Sequence, residues 1–167
     1  MQNVLAARPA RSTALPVDRN TPGVTRRPFA GGPDNTADRQ FVAMLDSYRG
    51  HGGLARVQEL LALSRRVGGP DLTTLARWIV KRDVICFEWQ AQSWFPWFQL
   101  NRSDLAPDPQ LRVVFAELTP VYDQWELAHW FSRPNPWLEN HSPVEMLACD
   151  LSAVLVAARA DRFIANG

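Results

Sequence analysis

All seven tryptophans of this protein fall between residues 78 and 137. An indole ring needs burial while its N–H needs an acceptor. A sequence that concentrates tryptophan in one stretch therefore builds either a dense small core or an aromatic surface for a partner. The densest part runs into the phrase Trp125-Glu126-Leu127-Ala128-His129-Trp130-Phe131-Ser132-Arg133-Pro134-Asn135-Pro136-Trp137-Leu138. Ser142-Pro143-Val144-Glu145-Met146-Leu147 and an Ala/Val/Arg-rich segment follow.

With 167 residues the protein is long enough for one domain, or a little more, and for a core that needs no covalent staples. The net charge of +1 gives no bulk electrostatic argument for nucleic acid or membrane. The distribution is uneven. Residues 1–37 carry five arginines against two aspartates, a net of +3, and the remainder carries −2. Cys86 and Cys149 are the only cysteines and share no ligand or disulfide spacing, which points to a reducing compartment, the cytoplasm. No apolar run is long enough to span a bilayer, and the opening residues lack a secretory leader's apolar stretch.

Pro9, Pro16, Pro22, Pro28 and Pro33 break all periodicity over residues 1–37, which read as a disordered basic arm. From Asp38 the texture changes. Asp38 can cap a helix carrying Phe41, Met44, Leu45 and Tyr48 at helical spacing, which runs to Gly50, Gly52 and Gly53. Leu54, Val57, Leu60 and Leu61 mark a second helix, closed near Gly68-Gly69-Pro70. Asp71 caps a third, with Leu72, Leu75, Ala76 and Ile79 on one face. Val84–Trp89 and Trp94–Leu100 are β-prone runs on either side of a polar stretch, the pattern of a hairpin. Pro96 cannot donate to a ladder, so it belongs at an edge or bulge. Beyond a Pro-bearing loop, Leu111, Val114, Phe115 and Leu118 form a helical stripe. Trp125–Phe131 predicts a further helix. Ser142 starts a short one, with Pro143 first and Glu145 third. Asp150 caps the last, whose stripe is Leu151, Val154, Leu155 and Ala158. The expected fold is mainly α with one β-hairpin. A helix-turn-helix or winged-helix-like module over residues 38–100 precedes a small helical domain over 101–167.

Catalytic patterns are scarce. Glu126 and His129 make one ExxH, whereas di-metal bundles need two copies with further carboxylates. His51 and His141 have no ligand partners at metal spacing. No phosphate-binding glycine loop or nucleophile elbow is present. Cys86 reads as a small buried hydrophobe. The residues point away from an enzyme and call for no cofactor and no metal. A recognition helix uses small polar side chains for base edges and Arg or Lys for phosphates. Thr73, Thr74, Arg77, Lys81 and Arg82 share the third predicted helix, and Arg65 and Arg66 precede its turn. They are the candidate DNA-binding residues; an ordinary helix with a solvated basic face is the alternative.

The pattern W-E-L-A-x-W-F-x-x-P-N-x-W-L, followed by P-V-E-x-L and an Ala-rich last helix, resembles the toxin-binding domain of the Xre/MbcA/ParS-like antitoxins. Upstream, V-I-x-F-E-W and W-F-P-W-F-Q-L are similar to a hairpin found in that family. The resemblance covers about residues 54–167. It implies a cytoplasmic antitoxin of a type II toxin–antitoxin system, without membrane association. Such a protein blocks a RES-type, NAD-degrading toxin through its helical C-terminal domain, forms homodimers, and regulates its own operon by binding operator DNA. In that family the C-terminal end reaches toward the toxin's active site. The matching residues here are Arg159, Asp161, Arg162, Phe163 and Gly167. The alternative is a stand-alone transcriptional regulator whose C-terminal domain dimerises. In either case Trp125 and Trp130 are expected in the core, Trp137 locks the turn after Asn135, and some of Trp89, Trp94 and Trp97 face outward.

Overall fold

A computed structural model of the protein describes residues 36–167. The arm read over residues 1–37 thus lies almost wholly outside the described residues; Thr36 and Ala37 open the first helix. The fold is mainly helical with a small antiparallel sheet of three strands. In order, the elements are α1 (Thr36–Tyr48), β1 (Leu54–Arg56), α2 (Val57–Val67), α3 (Leu72–Lys81), β2 (Phe87–Trp89) and β3 (Gln92–Pro96). Then come α4 (Arg112–Leu118), α5 (Gln124–Ser132), α6 (Pro143–Met146) and α7 (Leu151–Asn166).

Asp71 and Asp150 cap their helices as expected, whereas Asp38, expected to cap the first, lies within the first turn of α1 and accepts from Trp89 Nε1–H. Asp71 accepts from Thr74 N–H at 2.8 Å, and Asp150 accepts from Ala153 N–H at 2.9 Å. Glu145 accepts from Ser142 N–H at 2.8 Å. Asp123 and Glu126 form a reciprocal capping box on α5, with both bonds at 2.8 Å. Glu126 of the lone ExxH is thereby an N-terminal cap of a helix.

The sheet departs from the expected hairpin. Leu54, read as the start of a helix, lies in β1, and the strand order is β1-β3-β2. β3 is therefore central. Pro96, expected at an edge or bulge, is the last residue of that central strand, opposite Leu54. Its pairing with β2 has already ended, because β2 reaches back only to Phe87 opposite Trp94. The missing proline N–H costs the ladder nothing there. Gln90 and Ala91 close the hairpin with φ of 49° and 56°, as a two-residue type I′ connection requires.

Two apolar clusters lie on opposite sides of this sheet. One joins Phe41, Met44 and Tyr48 of α1 to Ile85, Phe87 and the inward faces of α4, α5 and α7. The other joins Leu60 of α2, Leu75 of α3, Val84, Phe95, Leu100 and Leu105. The run Val84-Ile85-Cys86-Phe87 alternates between them: Val84 and Cys86 face the second, Ile85 and Phe87 the first. A strand covered on both faces reads as a continuous apolar run, as this segment does.

Gly52 has φ +96°, and a Cβ there would sit 2.7 Å from the Trp97 Cβ. Glycine therefore lets the turn after α1 pass close against the end of β3. Gly69 serves the α2–α3 turn in the same way, since a Cβ would meet Ser64 Oγ at 2.8 Å. The buried Ser64 hydroxyl donates to Pro70 C=O, tying the turn to α2.

Candidate functional site

The signature phrase meets the last helix at Asp161. Trp130 Nε1–H donates to Asp161 Oδ2 at 2.7 Å, and Asn135 Nδ2–H donates to the same oxygen at 2.9 Å. Trp130 and Asn135 are both buried. Asn135 also accepts from Trp137 N–H through its Oδ1, and its backbone carbonyl accepts from Leu138 and Asn140. One asparagine thus shapes the turn and reaches across to α7. Trp137, expected to lock this turn, joins it through its backbone N–H, while the residue is 56 % exposed; Asn135 and Leu138 supply the buried side chains.

One turn away, Glu117 of α4 accepts from Arg159 Nε at 3.0 Å and from Arg162 at 2.8 Å. The two guanidinium bonds hold the Glu117 carboxyl below its ordinary pKa. Three of the predicted partner-binding residues, Arg159, Asp161 and Arg162, are therefore engaged within the fold and pin α7 to α4 and α5. Phe163 is different. It is 78 % exposed, its neighbour Ile164 is 64 % exposed, and Gly167 closes the helix. The helix is held on one side up to Arg162 and presents an apolar pair to solvent immediately after.

The predicted DNA-binding residues divide as well. Thr73, Arg77 and Lys81 are exposed along one line of α3, and Arg65 and Arg66 are exposed at the end of α2. Thr74 is half-buried beside the cap. Arg82 closes α3 in the left-handed conformation, and its guanidinium donates to Thr119 C=O at 2.5 Å and to Tyr122 C=O. Its charge is used to hold α3 against the α4–α5 connection. The expected apolar face of α3 narrows to Leu75, Trp78 and Ile79, while Leu72 and Ala76 face solvent.

The hairpin tryptophans, expected in part to face outward, are half-buried against α1 and the second cluster. Trp89 stacks on Phe41 with centroids 3.7 Å apart, and its Nε1–H donates to Asp38 at 3.3 Å. Trp94 packs edge-on to Phe41 and carries the Arg56 guanidinium 5.3 Å above its ring. Trp97 packs on the second cluster.

Three residues with no functional signal in the sequence organise the centre. Gln99, buried, accepts from Ile85 N–H at 2.6 Å and donates to Ile85 C=O at 2.8 Å. Gln124 accepts from Cys86 N–H at 3.0 Å. Tyr48 donates its hydroxyl to Ala128 C=O at 2.5 Å, and burial raises its pKa well above the ordinary value. Gln99 alone leaves a trace in the sequence, as the Q of F-P-W-F-Q-L, a polar residue conspicuous in an aromatic run.

Beside these contacts, a groove of about 680 Å³ runs past His51, Leu63, Trp97, Leu147 and Leu151. Burial and the Glu88 charge push the Cys86 thiol up to about 11, so it stays protonated. Among the described residues, no three His, Cys, Asp or Glu side chains gather as metal ligands, and no helix is long and apolar enough to cross a membrane. No protein-family model, curated protein or solved structure matches the sequence or the fold.

Proposed function

We propose that this protein is an antitoxin-like inhibitor that binds a protein toxin through the exposed end of α7. The observation that carries the reading is the contrast within two turns of one helix. Arg159, Asp161 and Arg162 are anchored to α4 and α5, while Phe163 and Ile164 stand in solvent. An aromatic anchor on a rigid support costs little ordering entropy on binding. The resemblance of residues 54–167 to the Xre/MbcA/ParS-like antitoxins supplies the partner class, a RES-type NAD-degrading toxin. The role asks the protein to occupy a site and to catalyse nothing. Homodimerisation in the cytoplasm belongs to the same reading.

The test is co-expression with the product of the adjacent gene. Phe163→Ala/Ile164→Ala alters neither the Asp161 bonds nor the Glu117 pairs, so the fold should persist. Loss of protection with an unchanged melting temperature is the expected result; full protection by this variant would sink the proposal.

A second reading, DNA binding by residues 38–100, draws on the element order α1-β1-α2-α3-β2-β3 with strand order β1-β3-β2. A sheet strand, a two-helix turn and a hairpin in that sequence suit a winged-helix module, and the exposed Thr73, Arg77 and Lys81 suit its recognition helix. It fits both an autoregulating antitoxin and a stand-alone regulator. A gel shift on the gene's own upstream DNA tests it: no shift even at low salt rules it out.

A further inference from the structure

We propose that Lys81 of α3 and Arg112 of α4 together grip a backbone phosphate of duplex DNA. The proposal rests on the DNA-binding reading above and adds a contact outside residues 38–100. A hollow of about 370 Å³ lies between the end of α3 and the start of α4, lined by Lys81, Arg82, Asp83, Arg112, Phe115 and Thr119 among others. Two backbone carbonyls already hold Arg82, at Thr119 and Tyr122. That pair of bonds fixes the end of α3 next to α4 and so sets the spacing of the remaining cations.

Lys81 and Arg112 are both exposed, and neither makes an ion pair among the described residues. Asp83 is the one carboxylate lining the hollow, and it pairs with neither. Three cations, Lys81, Arg82 and Arg112, against the one carboxylate of Asp83 leave the hollow a net attraction for an anion. Thr73, Arg77 and Lys81 follow at four-residue steps, so they form one row about 12 Å long on the exposed side of α3. The hollow lies at the cationic end of that row. A hydroxyl at the start of a helix, then cations toward its end, fits a helix whose first residues meet base edges while its last residues meet the strand backbone. Arg112 extends the row from a separate element, the start of α4.

The full-length protein is titrated against a labelled duplex from its own upstream region and against a scrambled duplex, over a series of salt concentrations. Each phosphate contact contributes about 0.9 to the slope of log K against log salt. Lys81→Ala and Arg112→Ala should each weaken both duplexes alike, and the double variant, which frees the phosphate, should reduce the slope by about that amount. Lys81→Arg and Arg112→Lys, which keep both charges, should bind like the wild type. Circular-dichroism melts of the variants should match the wild type, since both side chains are exposed. A wild type that binds while Arg112→Ala binds both duplexes equally tightly overturns the clamp and spares the DNA reading. A wild type that binds neither duplex at low salt overturns both. Loss of poly-glutamate binding in the variants, with duplex binding intact, assigns the hollow to an acidic protein and overturns the clamp.

Discussion

The carboxamide of Gln99 makes the two bonds to Ile85 that a neighbouring strand would otherwise supply. It does so where β2 has not yet begun and the backbone passes between two apolar clusters. Gln99→Leu keeps the volume but strips both partners from buried backbone groups. An unsatisfied buried group costs ~1–3 kcal/mol, so with two such groups the variant should lose roughly 2–6 kcal/mol in urea unfolding. A loss within the error of the wild type would show that Ile85 finds other partners. Asp161 has a comparable role farther along, since its Oδ2 accepts both indole and amide N–H. Asp161→Ala should cost ~2–3 kcal/mol, because hydrogen bonds to a charged acceptor are the stronger kind. If the protein is the inhibitor proposed above, the variant should also weaken neutralisation indirectly, by loosening the support of Phe163. Neutralisation that survives while the melting temperature drops would separate the anchor from the binding end.

At the scale of elements, the hairpin turn carries strain that the rest of the sheet tolerates. Gln90 and Ala91 both adopt positive φ, which favours Asn and Gly. Gln90→Asn/Ala91→Gly should stabilise the protein by ~1 kcal/mol, read as a higher midpoint in chemical denaturation. A lower midpoint would mean that the turn's present side chains make contacts worth more than the relieved strain. The helices were largely legible before any packing was known. Asp71, Asp150 and the bond from Ser142 N–H to Glu145 start three of them where local patterns allow, because such a bond joins residues three apart. β1 was not legible. Leu54-Ala55-Arg56 is too short to show a period, and only the presence of β3 alongside makes it a strand. Leu72 and Ala76 had helical spacing with Leu75, yet of the three only Leu75 joins an apolar cluster.

For the molecule as a whole, acid should act in two stages. Burial, with Arg133 nearby, lowers the His129 pKa below its ordinary 6.5. The folded state therefore favours the neutral ring, and that stability is complete above the unfolded value and fades as pH falls through it. Glu117, Asp71, Glu145 and Asp150 all have lowered carboxyl pKa values. Their contribution is complete above the ordinary carboxylate range and fades below it. The melting temperature should fall modestly from about pH 7 to about pH 5 and steeply below about pH 4. His129→Gln should remove the first decline and leave the second. A first decline that persists in that variant would assign it to another group.

The sequence by itself determined most of the helix starts and apolar stripes, the aromatic hairpin and the character of the phrase from Trp125 to Leu138. These depend on spacings of a few residues, which hydrogen-bond geometry and helical period convert directly into structure. Only the tertiary structure decided which charged residues remain free. Arg159, Asp161, Arg162 and Arg82 looked like surface groups for a partner, and each finds its partners within the fold 26 to 45 positions away. Arg112 carried no signal and lies beside Lys81. Whether a charge is available is a property of its surroundings in space, and no local pattern encodes surroundings that folding brings together.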